Sequence, residues 1–98
     1  MIDYLQKFRL DDKIAFVVGG LGLIGKEVSI ALSMAGAKTI VLDLNDQEKQ
    51  LFIMEMDKKG FEITFNNFDC TNMAQIDKNL TNIEKENGSP DIFINCSY

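Results

Sequence analysis

A short run of apolar residues leads directly into a cluster of glycines, and this junction restricts the folds open to the chain. Ile14–Val18 is followed by Gly-Gly-Leu-Gly-Leu-Ile-Gly, so four of the seven glycines lie at positions 19–25. Glycine permits tight or left-handed turns and has no Cβ to obstruct a close approach. A helical pattern follows from Lys26, and the unpaired N–H groups at the start of a helix attract anions. The junction predicts a phosphate-binding turn between a strand and a helix.

An acidic residue stands where a second apolar strand ends. Residues 38–42 form that strand, and Asp43 follows Gly25 by 18 positions. A carboxylate there can accept both hydroxyls of an adenosine ribose and repels a 2′-phosphate. Since the next basic residue is Lys49, we expect nothing near Asp43 to neutralise that phosphate. The pattern predicts a dinucleotide site that prefers NAD to NADP; the alternative is a solvated Asp43 that begins a turn or caps a helix.

Hydrophobic periodicity predicts three helices between the strands. Their apolar positions recur at intervals of three and four residues, and each helix ends near a glycine. We expect the second helix to begin with a capping box formed by Asn45 and Glu48. The expected core-facing residues of the three helices are Ile24, Val28, Ala31, Leu32 and Ala35; Leu51, Phe52 and Met54; and Met73, Ile76, Leu80 and Ile83.

Four strands complete the pattern, at residues 13–18, 38–42, 61–66 and 91–94. The third alternates apolar and polar residues, as an edge strand does, whereas the fourth is apolar after Asp91 and is expected to be buried on both faces. Right-handed crossovers make the sheet parallel, in the order 3-2-1-4. The fold class is therefore α/β, a Rossmann-type doubly wound sheet with the order β-α-β-α-β-α-β.

The predicted fourth strand poses a problem, because its outer edge is apolar and has no partner. Soluble proteins avoid exposing such an edge. We therefore expect this domain to continue in a longer chain, and we expect residues 92–95 to be covered by the rest of that chain or by a homo-oligomer partner.

Composition argues against several classes of function. The net charge of −5 and the absence of a basic cluster speak against binding to nucleic acid or to an anionic membrane surface. Cys70 and Cys96 lie far apart and the chain has no histidine, so no metal-ligand spacing is present. Residues 1–12 form a charged lead-in without the apolar core of a signal peptide, and we expect a cytoplasmic protein.

The glycine spacing resembles that found in the N-terminal portion of proteins of the short-chain dehydrogenase/reductase superfamily. The opening motif of that family is Thr-Gly-x-x-x-Gly-x-Gly in classical members and Thr-Gly-x-x-Gly-x-x-Gly in extended ones. Gly19, Gly22 and Gly25 match the extended spacing, whereas Val18 replaces the threonine and Leu23 replaces a classical glycine. The resemblance implies that residues 13–98 are the N-terminal part of an NAD(P)-binding domain.

The same resemblance implies a set of cofactor-binding residues near the glycine turn. The pyrophosphate and the adenosine ribose would be lined by Gly19, Leu21, Gly22, Leu23 and Ile24. Gly20 and Gly25 have a different explanation, since both can serve turn geometry and helix–strand packing alone.

Two further motifs follow the third and fourth strands. Asp69-Cys70-Thr71 reproduces the family's Asp-hydrophobe-Thr pattern, in which the aspartate accepts from the adenine amino group and the next backbone N–H contacts the ring. The alternative is that Thr71 or Asn72 caps the following helix. Asn95 matches the first asparagine of the family's Asn-Asn-Ala-Gly motif, which ties strand four to its neighbours, but the three residues after Asn95 do not match.

The resemblance implies an NAD(P)-dependent oxidoreductase that transfers hydride between nicotinamide and a carbonyl or alcohol substrate. The family's catalytic serine, tyrosine and lysine come later than residue 98, so we expect no catalytic residue here and no turnover by these 98 residues alone. Two alternatives remain open. One is an S-adenosylmethionine-dependent methyltransferase, which also uses a glycine-rich loop and acids after strands two and three. The other is a non-enzymatic nucleotide-binding Rossmann module.

Overall fold

Strands and helices alternate through the whole described part of the chain. A computed structural model describes residues 6–44 and 46–97. A 3₁₀ turn at Gln6–Phe8 precedes β1 (Ile14–Val18), α1 (Leu23–Met34), β2 (Lys38–Asp43), α2 (Gln47–Lys58), β3 (Ile63–Asn67), α3 (Ile76–Asn87) and β4 (Ile92–Asn95). The strands are parallel and lie in the order β3-β2-β1-β4. The predicted Rossmann-type α/β fold is confirmed.

The two central strands carry the core. Phe16 of β1 pairs in register with Ile40 of β2, and Val17 pairs with Val41. Because successive side chains point to opposite faces, each strand contributes to two hydrophobic layers, which explains the unbroken apolar run of β1 and the apolar stretch at residues 40–42 of β2. The layer beneath α3 contains Phe16, Val18, Ile40, Leu42, Phe68 and Ile83. The layer beneath α1 and α2 contains Leu21, Val41, Met56 and Ile63.

Helix α1 buries only part of the face that was predicted, since Val28, Leu32 and Ala35 are partly buried. It begins at Leu23 rather than at Lys26, so Gly25 lies in its first turn. Ile24 and Ala31 are exposed, and the buried residues are Gly25 and Ser29. Small residues on this face let the helix lie close to the glycine loop, and the Ser29 hydroxyl donates to the carbonyl of Gly20 at 3.3 Å.

Helix α2 starts on Asp46, which corrects the predicted capping box. The Asp46 side chain accepts from the backbone N–H of Lys49 at 2.9 Å, in the manner of an N-cap. Asn45 lies outside the described residues. Met56 is the buried residue of this helix. Two of the predicted core positions are instead exposed, Leu51 and Met54.

Helix α3 begins later than its apolar pattern suggested. Ile76, Leu80 and Ile83 face the core as predicted. Met73, the first predicted member of that face, precedes the helix and is exposed. Met73 therefore lies in the turn before α3 although its spacing fits the helix, because the chain between β3 and α3 must first cross the end of the sheet.

The fourth strand is less buried than its composition predicted. β4 lies at the sheet edge beside β1, and within the described residues its other edge has no strand partner. Phe93 contacts the Phe16 ring, with the ring centroids 6.5 Å apart, but its side chain is 51% exposed. The prediction of burial on both faces is therefore wrong for this chain, and the predicted place of this strand at the edge of the sheet is confirmed.

Candidate functional site

The predicted site residues meet at one edge of the sheet. Gly19 follows β1, Asp43 ends β2, Asn95 ends β4 and Asp69 follows β3. Backbone bonds join these ends: Gly19 donates to Leu42 at 2.8 Å, Cys96 to Val18 at 2.7 Å and Phe68 to Asp43 at 2.9 Å. The carboxyl ends of parallel strands, where ligands bind in open α/β sheets, thus carry the whole candidate set.

Three glycines of the loop are required by packing. Gly19 has a φ of +72°, and a Cβ on it would lie 2.9 Å from the backbone nitrogen of Ser97. A Cβ on Gly20 would lie 2.7 Å from Val41, and one on Gly25 would overlap the carbonyl oxygen of Gly19. The packing explanation offered for Gly20 and Gly25 is therefore sufficient for both.

Gly22 differs from these three. Its φ is −75°, which any residue adopts, and a Cβ on it would meet only the oxygen of Gly19 at an ordinary 3.4 Å. Packing therefore does not require glycine here, whereas close approach of a ligand would. The adjoining residues Leu23 and Ile24 are 91% and 70% exposed. The loop and the start of the helix are therefore exposed at this point.

The start of α1 is free to bind an anion. Gly22 is its N-cap and supplies no side-chain hydrogen bond. The first bond of the helix runs from Lys26 to the carbonyl of Gly22 at 3.0 Å. The N–H groups of Leu23, Ile24 and Gly25 come before it and, as at any helix start, have no partner within the helix. Three N–H groups and the positive end of the helix dipole are thus present at this exposed part of the loop.

Asp43 is held by the loop in front of it. Its Oδ2 accepts from the backbone N–H of Leu21 at 3.0 Å, and its Oδ1 accepts from that of Leu44 at 2.7 Å. The side chain is only 15% exposed. The alternative reading, a solvated carboxylate or a helix cap, is therefore wrong, because the cap is Asp46 and the carboxylate is mostly shielded from water.

Lys49 is the residue near the site that the sequence reasoning missed. Its Nζ lies 3.1 Å from Oδ1 of Asp43 and 3.7 Å from Oδ2 of Asp46. The expectation that no cation lies near Asp43 is therefore wrong. The sequence did contain a signal: Lys49 stands three residues after the N-cap, and that spacing brings a side chain back to the start of its helix.

Asp69 forms a tight turn with Thr71. Its Oδ1 accepts from the Thr71 hydroxyl at 2.6 Å and from the Thr71 backbone N–H at 2.9 Å. These two bonds hold the pKa of Asp69 below its ordinary value, and the bond from the hydroxyl has the larger effect. Thr71 does not cap a helix, because α3 begins five residues later, after Gln75, with no side-chain cap. The capping alternative for Thr71 and Asn72 is therefore wrong. Cys70, between the two partners, is exposed.

Asn95 supports its own loop rather than a neighbouring strand. Its Oδ1 accepts from the backbone N–H of Ser97 at 2.9 Å and also from the Ser97 hydroxyl. The tie to β1 comes from the backbone of Cys96. Because Ser97 packs against Gly19, the Asn95 turn supports the glycine loop from behind. Tyr98 lies outside the described residues.

Other kinds of site receive no support from the described part of the chain. Across residues 6–44 and 46–97, no group of three or more histidine, cysteine or acidic residues is arranged to hold a metal ion. None of the helices described is long and apolar enough to cross a membrane. The two cysteines, Cys70 and Cys96, are free thiols.

Comparison with known proteins identifies relatives along nearly the whole chain. The sequence model of the short chain dehydrogenase family matches residues 13–97. The uncharacterized oxidoreductase YxjF of Bacillus subtilis (strain 168) is 30% identical over 83 residues, which is 85% of this chain and 32% of that protein. Galactitol 2-dehydrogenase of Rhizobium johnstonii is 29% identical over 94 residues, which is 96% of this chain and 36% of that protein.

A solved structure agrees with the fold. The gluconate 5-dehydrogenase from Burkholderia cenocepacia J2315, solved in complex with NADP and tartrate, superposes with a TM-score of 0.81 at 27% identity. The match covers 93% of this chain and 36% of that one. The chain therefore spans about a third of the length of the proteins it matches. Since the family match includes every strand and every α-helix described above, the chain belongs to the short chain dehydrogenase family of NAD(P)-binding oxidoreductases.

Proposed function

We propose that this chain is the cofactor-binding part of an oxidoreductase that transfers hydride between nicotinamide and a carbonyl or alcohol carbon. The observation that carries the proposal is the hydrogen bond from Leu21 to Asp43, because it fixes a carboxylate directly beside the glycine loop. In this proposal residues 13–98 are the first part of an NAD(P)-binding domain and residues 1–12 are a lead-in.

The start of α1 is proposed to hold the pyrophosphate. Gly22 leaves room for a phosphate, and the N–H groups of Leu23 and Ile24 can donate to its oxygens. Gly19 and Leu21 hold the loop in shape through their own internal bonds. The bound cofactor supplies the hydride chemistry, whereas these residues bind and orient it.

The acidic residues are proposed to hold the adenosine end. Asp43 accepts from the ribose hydroxyls, and its negative charge makes NAD the preferred cofactor over NADP. Asp69 accepts from the adenine amino group, and the backbone N–H of Cys70 contacts the ring. Both bonds from Thr71 end on one oxygen of Asp69, Oδ1. Asn95 supports the ribose region by holding the loop behind Gly19.

The substrate and the partners are proposed from the relatives and from the exposed edge. The relatives named above include a galactitol 2-dehydrogenase and a gluconate 5-dehydrogenase, which favours a small-molecule carbonyl or alcohol substrate. Residues 92–95 are proposed to be covered by further chain or by a homo-oligomer partner, because Phe93 is half exposed. The two free thiols fit a reducing compartment, and we place the protein in the cytoplasm.

Isothermal titration of the intact native protein with NAD, NADP and S-adenosylmethionine tests the proposal. We expect NAD to bind more tightly than NADP and S-adenosylmethionine not to bind. Oxidation of NADH in the presence of small carbonyl compounds then separates an enzyme from a non-enzymatic nucleotide-binding module. Failure of both dinucleotides to bind would contradict the proposal, and binding without turnover on any carbonyl would favour the module.

A further inference from the structure

An ion pair occupies the carboxylate that the proposed function assigns to the adenosine ribose. Nζ of Lys49 lies 3.1 Å from Oδ1 of Asp43, and the side chains are 23% and 15% exposed. Two backbone N–H groups, those of Leu21 and Leu44, also donate to the same carboxylate. A carboxylate offers about four lone-pair sites. The ribose hydroxyls can therefore both bind Asp43 only if Lys49 moves away from it.

Asp46 gives Lys49 a second partner. Its Oδ2 lies 3.7 Å from Nζ, and its Oδ1 fixes the Lys49 backbone by accepting that residue's N–H at 2.9 Å. A lysine ammonium is a compact charge on a long flexible stem. Nζ can therefore exchange Asp43 for Asp46 while the backbone of the helix stays in place.

We propose that Lys49 determines how strongly this site discriminates between NAD and NADP, an inference that rests on the proposed function. With NAD, Asp43 accepts from the ribose hydroxyls and Nζ pairs with Asp46. With NADP, Nζ donates to the 2′-phosphate and offsets its repulsion from Asp43, since a hydrogen bond between two ionised groups is stronger than a neutral one. The site therefore prefers NAD but admits NADP. The negative charge of Asp46 repels the 2′-phosphate and so weakens NADP binding.

The dissociation constants of NAD and NADP, measured by isothermal titration on the intact protein, test this role. Lys49→Met should weaken NADP binding about tenfold or more and leave NAD binding equal or tighter. Lys49→Arg, which keeps the charge, should retain the NADP affinity. Asp46→Asn should tighten NADP binding severalfold, because asparagine still caps α2 while the negative charge is lost.

Lys58→Met provides the matched control, since Lys58 is an exposed lysine on the same helix. It should leave both affinities unchanged. The decisive quantity is the ratio of the NADP and NAD dissociation constants, because a folding defect weakens both cofactors together. An unchanged ratio in Lys49→Met would overturn the role of Lys49 and leave the proposed function standing. Binding of neither cofactor by the wild-type protein would overturn the proposed function, and this inference with it.

Discussion

The backbone N–H of Leu21 donates to Oδ2 of Asp43 at 3.0 Å, and this bond joins the glycine loop to the end of β2. Both groups are largely shielded from water. A hydrogen bond to an ionised acceptor is stronger than one between neutral groups. Asp43 therefore stabilises the loop in addition to its proposed role at the ribose, and the two roles must be separated when variants are compared.

Two glycines of the loop should respond differently to substitution. Gly25→Ala should destabilise the protein by about 1–3 kcal/mol, because the new Cβ overlaps the backbone oxygen of Gly19. A Cβ on Gly22 meets only an ordinary contact, so Gly22→Val should cost about 1 kcal/mol, near the loss of a helix cap. Urea unfolding measures both.

Gly22→Val also distinguishes a role of Gly22 in packing from a role in ligand binding. Gly22→Val fills the space in front of the helix start, so NAD affinity should fall about tenfold or more although the fold survives. A Gly22→Val protein that binds NAD as tightly as the wild type would contradict the assignment of this residue to the pyrophosphate.

Two serines of α1 should differ in how much their hydroxyl groups contribute to the free energy of unfolding. The Ser29 hydroxyl is buried and donates to Gly20, so Ser29→Ala should cost about 1–2 kcal/mol. The Ser33 hydroxyl is buried and has no hydrogen-bond partner among the described residues, so Ser33→Ala should be neutral or stabilising by up to about 1 kcal/mol. Denaturant unfolding compares them, and equal losses would contradict the tie between α1 and the glycine loop.

The turn at Asp69 predicts a measurable titration. The folded pKa of Asp69 lies below its unfolded value, so its two bonds stabilise the turn fully at neutral pH. That stabilisation is present above the unfolded pKa of Asp69 and is lost as the pH falls through the folded pKa, which is lower. Thr71→Val removes the hydroxyl donor and should raise the pKa of Asp69 toward its ordinary value, as measured by carboxyl ¹³C NMR.

Thr81→Val is the control for that titration, because the Thr81 hydroxyl donates to the carbonyl of Asp77 on α3 and touches neither turn residue. It should leave the pKa of Asp69 unchanged. An Asp69 that titrates at the same pH with and without the Thr71 hydroxyl would rule out that bond as the cause.

Phe93 tests whether the exposed edge is covered in the intact protein. Truncation of a fully buried phenylalanine costs about 3–5 kcal/mol. If further chain or a partner covers β4, Phe93→Ala should show a loss of that size in denaturant unfolding of the intact protein, although the side chain is half exposed here. A loss below about 1 kcal/mol would mean that the edge stays open.

The order of elements and the sheet topology could be predicted because they depend on strong local signals. β1 is a continuous apolar run and β2 contains the apolar stretch at residues 40–42, and the turns after them contain glycine or an acid. Right-handed crossovers then leave few topologies. The helix faces were predicted less well. Ile24 and Met73 fit an apolar period, yet both are exposed, because one lies in front of the glycine loop and the other in a turn before α3.

The site shows the same division. The positions of Asp43 and Asp69 follow from where strands end, and both lie at the predicted edge. The hydrogen-bond and ion-pair partners of these side chains could not be predicted in the same way. The spacing of Lys49 from Asp46 places its side chain near the start of α2, but its pairing with Asp43 depends on the angle at which the helix leaves its cap. The Asn95–Ser97 turn depends on a serine at a position where the family motif has a different residue. Side-chain contacts between elements are set by tertiary geometry, which sequence spacing does not encode.

The affinity of the intact protein for NAD, compared between the wild type and Asp43→Ala, tests the central claim most directly. Asp43→Asn serves as the control for the loop, because its side-chain oxygen can still accept from Leu21. We expect NAD to bind the wild type, Asp43→Ala to lose about 1.5–3 kcal/mol of binding free energy, and Asp43→Asn to keep the fold but bind NAD less tightly. Equal NAD affinity in all three proteins, or none in the wild type, would contradict the account.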